Sequence, residues 1–156
     1  MTVAYLVAAR GTCTRGHVGS LLVREGRIIS TGYNGAPPGE VECTEAGCIP
    51  RDWDGGCDRA IHAEVNCLAQ AGKLGHSTQL AELYTTHFPC HNCAMLLVSA
   101  GIKTIFYHRE YHHPGQVTVP FYKVDPMPIV ELLGCLDRVG YVEWLQQTAQ
   151  LHGTLT

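Results

Sequence analysis

Two short stretches, separated by room for one helix and one strand, must meet in space, and this limits the folds open to the chain. One is His62-Ala63-Glu64, within Ala60-Ile61-His62-Ala63-Glu64-Val65-Asn66. The other is Pro89-Cys90-His91-Asn92-Cys93. One imidazole and two thiols are ligands of the kind zinc takes, and a catalytic zinc site leaves its fourth position to water. Glu64, two residues past the histidine, puts a carboxylate beside that water without making it a ligand. Each motif alone has an ordinary reading. A lone Cys-x-x-Cys is a redox pair or part of a closed structural zinc site, and a lone helical histidine is structural. In this order, at two expected helix starts, they point to a catalytic metal centre.

The chain around them reads as alternating elements. Residues 2–10 carry a helical apolar pattern (Val3, Leu6, Val7). Val18–Val23 and Arg27–Thr31 are β-rich runs joined by the turn Arg24-Glu25-Gly26, a hairpin. Gly32-Tyr33-Asn34-Gly35-Ala36-Pro37-Pro38-Gly39 reads as a shaped loop. Residues 40–59 show no period and are expected to lack regular structure. Such a segment needs something to tie it down inside a compact domain. A helix is expected over 60–71, ended by Gly72, then a strand over 83–87. A helix over 90–100 is stopped by Gly101, and a buried strand follows over 102–108. Residues 110–128, with four prolines, read as loop. A helix at 129–139 and a strand at 141–145 complete the series. No repeat or interdomain linker interrupts it. The order predicts one three-layer α/β domain over 1–156 with a mixed sheet.

Both cysteines of the second motif fall in a first helical turn, three residues apart, so one face presents both sulfurs. Helix N-termini carry unpaired N–H groups and partial positive charge, which favours thiolate. Two helices rising from neighbouring strands would bring their N-termini to one edge of the sheet.

Composition removes other classes. Lys and Arg total 11 against 14 acidic residues in 156. The basic residues are thinly spread, which disfavours a nucleic-acid substrate. No apolar run reaches the eighteen or so residues that span a bilayer. The apolar start lacks a basic n-region and is expected to be a helix, not a signal peptide, so a cytoplasmic protein is expected. Without an export signal, the eight cysteines are better read as metal ligands than as disulfides.

The pattern His-x-Glu followed by Pro-Cys-x-x-Cys is the signature of zinc-dependent nucleobase deaminases. Around it stand Cys13-Thr14-Arg15-Gly16-His17-Val18-Gly19, Arg27–Gly35 ending in Gly-Tyr-Asn-Gly, Thr86-His87-Phe88-Pro89-Cys90-His91-Asn92-Cys93-Ala94 and Ala100-Gly101-Ile102-Lys103. In this order and spacing, residues 2–111 resemble the deoxycytidylate (dCMP) deaminase family. The zinc motifs are shared across the deaminase superfamily; Gly-Tyr-Asn-Gly and Thr-His-Phe-Pro-Cys are more specific. Residues 108–111 depart from a more acidic family segment, and residues 112–156 give no match.

The resemblance implies a cytidine-deaminase fold with a central five-stranded sheet. It implies zinc held by His62, Cys90 and Cys93, Glu64 as proton carrier, and hydrolysis of dCMP to dUMP for thymidylate synthesis. It further implies a homo-oligomer, commonly a hexamer, activated by dCTP and inhibited by dTTP, with Gly32, Tyr33, Asn34 and Gly35 taking part in regulation. Asn34 matches the residue that holds the nucleotide sugar; the alternative is a turn residue tolerating positive φ. The backbone N–H of Ala63 would bind the base. The phosphate needs a cation, and Arg15, Arg59 and Arg109 are candidates, each equally a solvated surface charge. Tyr111 and Tyr107 either line the base pocket or pack in the core. Another nucleobase deaminase (tRNA adenosine, cytidine or guanine) and a non-catalytic zinc module are the competing readings.

Of the remaining cysteines, Cys67 and Cys135 read as buried small hydrophobes. Cys13, Cys43, Cys48 and Cys57 lie in polar, Gly-rich loops. Some members of the family carry a second, structural zinc on the equivalents of Cys13 and Cys43, and Cys48 and Cys57 would complete a tetrahedral set.

Overall fold

The computed structural model describes residues 1–51, 56–111 and 119–126. Val3–Asp125 form one compact unit. The helix expected at 129–139, the strand at 141–145 and Cys135 lie outside the described residues, so the expected single domain over 1–156 extends beyond them.

Helix α1 (Thr2–Ala8) is followed by the hairpin β1 (Gly19–Arg24) and β2 (Arg27–Tyr33). Glu25 and Gly26 both have positive φ (53° and 73°). That backbone matches the twist of a two-residue hairpin turn, tighter than the three-residue turn expected from sequence. A one-turn helix α2 (Cys43–Ala46) leads to α3 (Ala63–Lys73). Strand β3 (Glu82–His87), helix α4 (His91–Ser99), β4 (Thr104–Arg109) and the short β5 (Phe121–Lys123) follow. The sheet order is β2-β1-β3-β4-β5. β1 is antiparallel to β2 and β3, while β3–β4 and β4–β5 are parallel. The mixed five-stranded sheet is therefore as expected, but its last described strand lies in the segment read as loop. A three-residue strand lying between Pro120 and Pro126 is too short to show a period, and proline is tolerated beside an edge strand.

Glycine sets the layers. A Cβ on Gly19 would sit 2.1 Å from the Ala4 carbonyl of α1; one on Gly32 would sit 2.3 Å from the Ala63 carbonyl of α3. Gly32 pairs with Ser20, not Gly19, so the two glycines face opposite sides. Helix α1 covers one face; α3 and α4 cover the other. Between the sheet and those two helices lies the core of Leu22, Cys67, Ala71, Leu83, Leu97 and Ile105. Cys67 is fully buried, its thiol pushed up to about 12 mainly by burial, as a small hydrophobe should be. Tyr107 packs edge-on against Phe88, and its hydroxyl donates to Glu110 Oε1 at 3.1 Å.

Both long helices on that face end in the same motif. For α4, Gly101 has φ 76°, its N–H bonds Val98 and the next N–H bonds Leu97, as the sequence predicts. For α3 the left-handed residue is Gly75 (φ 70°), with bonds from Gly75 to Gly72 and His76 to Ala71. Gly72 lies inside the helix and does not end it. No helix among the described residues is long and apolar enough to cross a membrane.

Candidate active site

The strands direct both motifs to one sheet edge. β2 and β3 run out where β1 begins, and α4 starts four residues after β3. Gly35 and Ile61 exchange backbone hydrogen bonds (3.3 and 2.9 Å), pinning the entry to α3. His62 is the N-cap of α3 and Cys90 the N-cap of α4, each extended, one step before the first turn expected for them. Asn66 Nδ2 donates to the Tyr33 carbonyl at 2.7 Å, holding α3 to the end of β2.

His62 Nδ1 lies 3.5 Å from Cys90 Sγ and 3.4 Å from Cys93 Sγ. The three ligand atoms all fall within 4.8 Å of one another, a grouping no other His, Cys, Asp or Glu trio among the described residues achieves. A tetrahedral zinc with bonds of about 2.0 Å to nitrogen and 2.3 Å to sulfur separates such atoms by about 3.5 Å. The donor set therefore fits Zn2+. A hydrogen bond from Cys93 and another from His62 hold Cys90 at about 3, while the same Cys90 contact, with burial, pushes Cys93 up. His62 is raised, first by its bond to Cys90, with burial opposing.

Glu64 is 4% exposed, and burial raises its carboxyl above the usual range. Thr85 Oγ1 donates to its Oε1 at 3.2 Å. Together with His62, Ala63 and Cys90, Glu64 lines a cavity of about 300 Å³. Other walls are Cys13, Arg15, Gly16, Val18, Asn34, Cys57, His87, Phe88 and Tyr111. Ala63 opens α3, where backbone N–H groups lack helical partners.

Of the three arginines, Arg15 alone is on this wall. Arg59 instead donates to the carbonyls of Gly47 (3.1 Å) and Val41 (3.2 Å), bracing the loop. Arg109 stands over the Tyr5 ring at 6.0 Å. Asn34 is buried; its Oδ1 accepts from Val18 N–H (2.8 Å) and its Nδ2 donates to Gly16 O (2.7 Å). A carboxamide has a second donor and lone pair to offer the cavity. Its φ is not positive, so the turn alternative fails. Gly32 and Tyr33 belong to β2 and not to the expected loop, and Gly35 packs a tight contact to Thr12.

Residues 40–51 and 56–59 are more ordered than expected. Glu42 caps α2, and its carboxylate accepts from Ala36 N–H (3.0 Å) and from the Thr12 hydroxyl. Pro50 and Cys57 form a bridge. Cys43 Sγ and Cys57 Sγ approach to 3.8 Å. Burial and Cys57 push Cys43 up to about 11. Burial also works to raise Cys57, but hydrogen bonds from Cys48 and the backbone outweigh it and hold it at about 6. Cys48 shares side-chain hydrogen bonds with Cys57 and Arg15. Cys13 is buried nearby and reaches the cavity.

Sequence reasoning did not assign roles to His87, Phe88, Thr85 or Glu42. The first two were visible as the residues just before Pro89, where β3 must hand the chain to α4 at the metal centre. His87 Nδ1 meets the Thr86 hydroxyl at 3.0 Å, and burial, with Arg109 and His108 nearby, lowers its pKa.

Residues 1–109 match the family model for the cytidine and deoxycytidylate deaminase zinc-binding region. ComE operon protein 2 of Bacillus subtilis is 42% identical over 141 residues, covering 85% of this chain and 73% of that protein. The deoxycytidylate deaminase of Schizosaccharomyces pombe is 38% identical over 120 residues, 72% of this chain but 36% of the yeast protein. The dCMP deaminase of cyanophage S-TIM5, solved with dCMP and dUMP, superposes with a TM-score of 0.64 at 29% identity, over 78% of this chain and 91% of that one. With the signature residues gathered at one sheet edge and these likenesses spanning them, the chain belongs to the cytidine and deoxycytidylate deaminase family.

Proposed function

We propose that the chain hydrolyses dCMP to dUMP and ammonia. The observation that carries this reading is a buried carboxylate, Glu64, sharing one cavity wall with His62 and Cys90 of the His62–Cys90–Cys93 cluster. His62, Cys90 and Cys93 would hold the zinc. When bound, the zinc supplies Lewis acidity that brings the pKa of a water toward neutrality. Glu64 would take one proton from the attacking water and pass it to the ring nitrogen as the water oxygen bonds to the amino-bearing carbon. It would then take the second proton from the new hydroxyl and give it to the amino group as the C–N bond breaks and ammonia leaves. A carboxylate accepts when ionised and donates when protonated, so one group serves both steps. Burial, which raises its pKa, suits it to hold a proton between them.

The remaining assignments extend that reading. Ala63 N–H binds the base and Asn34 the sugar. Arg15 is the best placed arginine for the phosphate, and Tyr111 closes the wall. Arg59 and Arg109 remain secondary candidates. Cys13, Cys43, Cys48 and Cys57 hold a second, structural zinc; the 3.8 Å between Cys43 and Cys57 is about what two sulfurs bonded at 2.3 Å to one tetrahedral ion require. The protein works in the cytoplasm as a single-domain homo-oligomer, a hexamer, responding to dCTP and dTTP through the Gly32–Gly35 stretch.

The test is ammonia release with dCMP, cytidine, deoxycytidine and guanine. Turnover of dCMP well above the others is expected; turnover of the free nucleosides alone would overturn the monophosphate assignment.

A further inference from the structure

We infer that Thr85 is a positioning residue for Glu64, working with Ser20 as a buried hydroxyl relay that sets the rate of the proton steps and not nucleotide affinity. The inference rests on Glu64 being the proton carrier. Ser20 and Thr85 are direct cross-strand partners in β1 and β3, both fully buried. Ser20 Oγ donates to Thr85 Oγ1 at 3.0 Å, and Thr85 Oγ1 donates to Glu64 Oε1 at 3.2 Å. Each hydroxyl has one proton, so the direction is set: Thr85 gives its proton to the carboxylate and accepts from Ser20.

The neighbours show why this pair is there. Along the same face the next cross-strand pair is Leu22 and Leu83, both fully buried and apolar. Valine at 20 and 85 would continue that packing without burying polar groups. The hydroxyls instead end on one carboxylate oxygen, which they tie to the rigid centre of the sheet. Thr86, one residue on, points to the other face and is engaged by Gly19 N–H (3.2 Å) and His87, so it cannot substitute. A glutamate has three side-chain torsions. With Oε1 anchored, the second oxygen has a defined place on the cavity wall, and small misplacements of a reacting group are costly.

The experiment uses the zinc-loaded full chain and steady-state kinetics with dCMP, with zinc content measured for every variant. Thr85→Val is expected to lower kcat about tenfold to hundredfold with KM within about twofold and zinc retained. Thr85→Ser, which keeps the hydroxyl, restores most of kcat. Ser20→Ala gives a smaller loss in kcat and adds nothing in the Thr85→Val background, because it acts through Thr85. Wild-type kcat in Thr85→Val, a loss that Thr85→Ser fails to recover, or a change confined to KM would overturn the inference. If Thr85→Val does not fold, Ser20→Ala decides alone, and an unchanged kcat there is fatal. Glu64→Gln separates the two levels. Full activity in it removes the underlying reading, whereas an inactive Glu64→Gln beside a normal Thr85→Val removes the relay only.

Discussion

Two groups of cysteines sit within one small fold, and they are held in different ways. Cys90 and Cys93 belong to the start of α4, and His62 to the start of α3. Both helices are seated on the sheet, so the three ligand atoms converge within 4.8 Å. Cys13, Cys43, Cys48 and Cys57 come from loops and a single turn of helix. The sulfurs of Cys43 and Cys57 reach 3.8 Å, but no three of the four gather as tightly. In the first group the fold builds the metal site. In the second, the metal we propose would build the fold. The same ligand chemistry thus serves opposite directions of cause, and each can be attacked separately.

The largest effect is expected where function can be removed without touching either cysteine group. Glu64 is no ligand, and its carboxylate is held from the sheet side by Thr85. Glu64→Ala should lose turnover by on the order of 10²- to 10⁴-fold while zinc content stays unchanged. Ammonia release and metal analysis on the same sample read both quantities. Near-normal turnover would end the proposed mechanism.

The loop group should respond in stability first. Cys43 is 1% exposed and does not line the cavity. Cys43→Ser should reduce metal content from about two zinc per subunit to about one and cost roughly 3 kcal/mol or more. In a protein of this size that lowers the melting temperature by roughly 6 °C or more. Below the new transition, turnover should persist, because the first group does not need the loop metal to converge. One zinc per subunit in the unmutated protein would break the comparison outright, leaving the loop to the Glu42, Pro50 and Arg59 contacts alone.

What the sequence made legible follows the same division. The convergence of His62 with Cys90 and Cys93 was readable because helix starts and strand ends obey local rules. Gly101 was correctly placed as the stop of α4. The stop of α3 was not, since Ala71-Gly72-Lys73-Leu74-Gly75 offers two glycines and only the backbone shows which one turns left-handed. Strand β5 was hidden by its three-residue length. Among the site residues, Arg15 could not be distinguished from Arg59 and Arg109, because a guanidinium's partner is set by tertiary placement. Thr85 carried no signal at all. A threonine in a strand is ordinary until the residue across from it and the helix above it are known.

Gly32 tests whether the sheet really seats the first group. A Cβ there would lie 2.3 Å from the Ala63 carbonyl and 2.4 Å from the Cys67 amide, both backbone atoms that cannot swing aside. Gly32→Ala must push the start of α3 off β2. It should cost about 1–3 kcal/mol by overpacking and, unlike Cys43→Ser, lower turnover even well below the melting transition. Denaturant unfolding and kcat on the same variant give the answer. A stable, fully active Gly32→Ala would mean that α3 is not pressed onto the sheet where the signature residues begin.

The smallest effect runs the other way. Gly72 lies within α3, has an ordinary φ, and a Cβ there meets nothing within 4 Å. Its freedom costs the helix without serving contact or turn. Gly72→Ala should therefore stabilise the protein by about 0.4–1 kcal/mol, by helix propensity and by a less flexible unfolded chain. Gly75→Ala, placed at φ 70°, should destabilise, since alanine resists the left-handed conformation that ends the helix. The pair changes the strength of α3 without touching either cysteine group. If α3 is already fully formed when the metal ligands meet, Gly72→Ala raises the melting temperature by roughly 1–4 °C and leaves kcat and zinc content unchanged. A rise in kcat with stability would show that the start of α3 is still fluctuating in the native protein, and that the first group also depends on its metal for order.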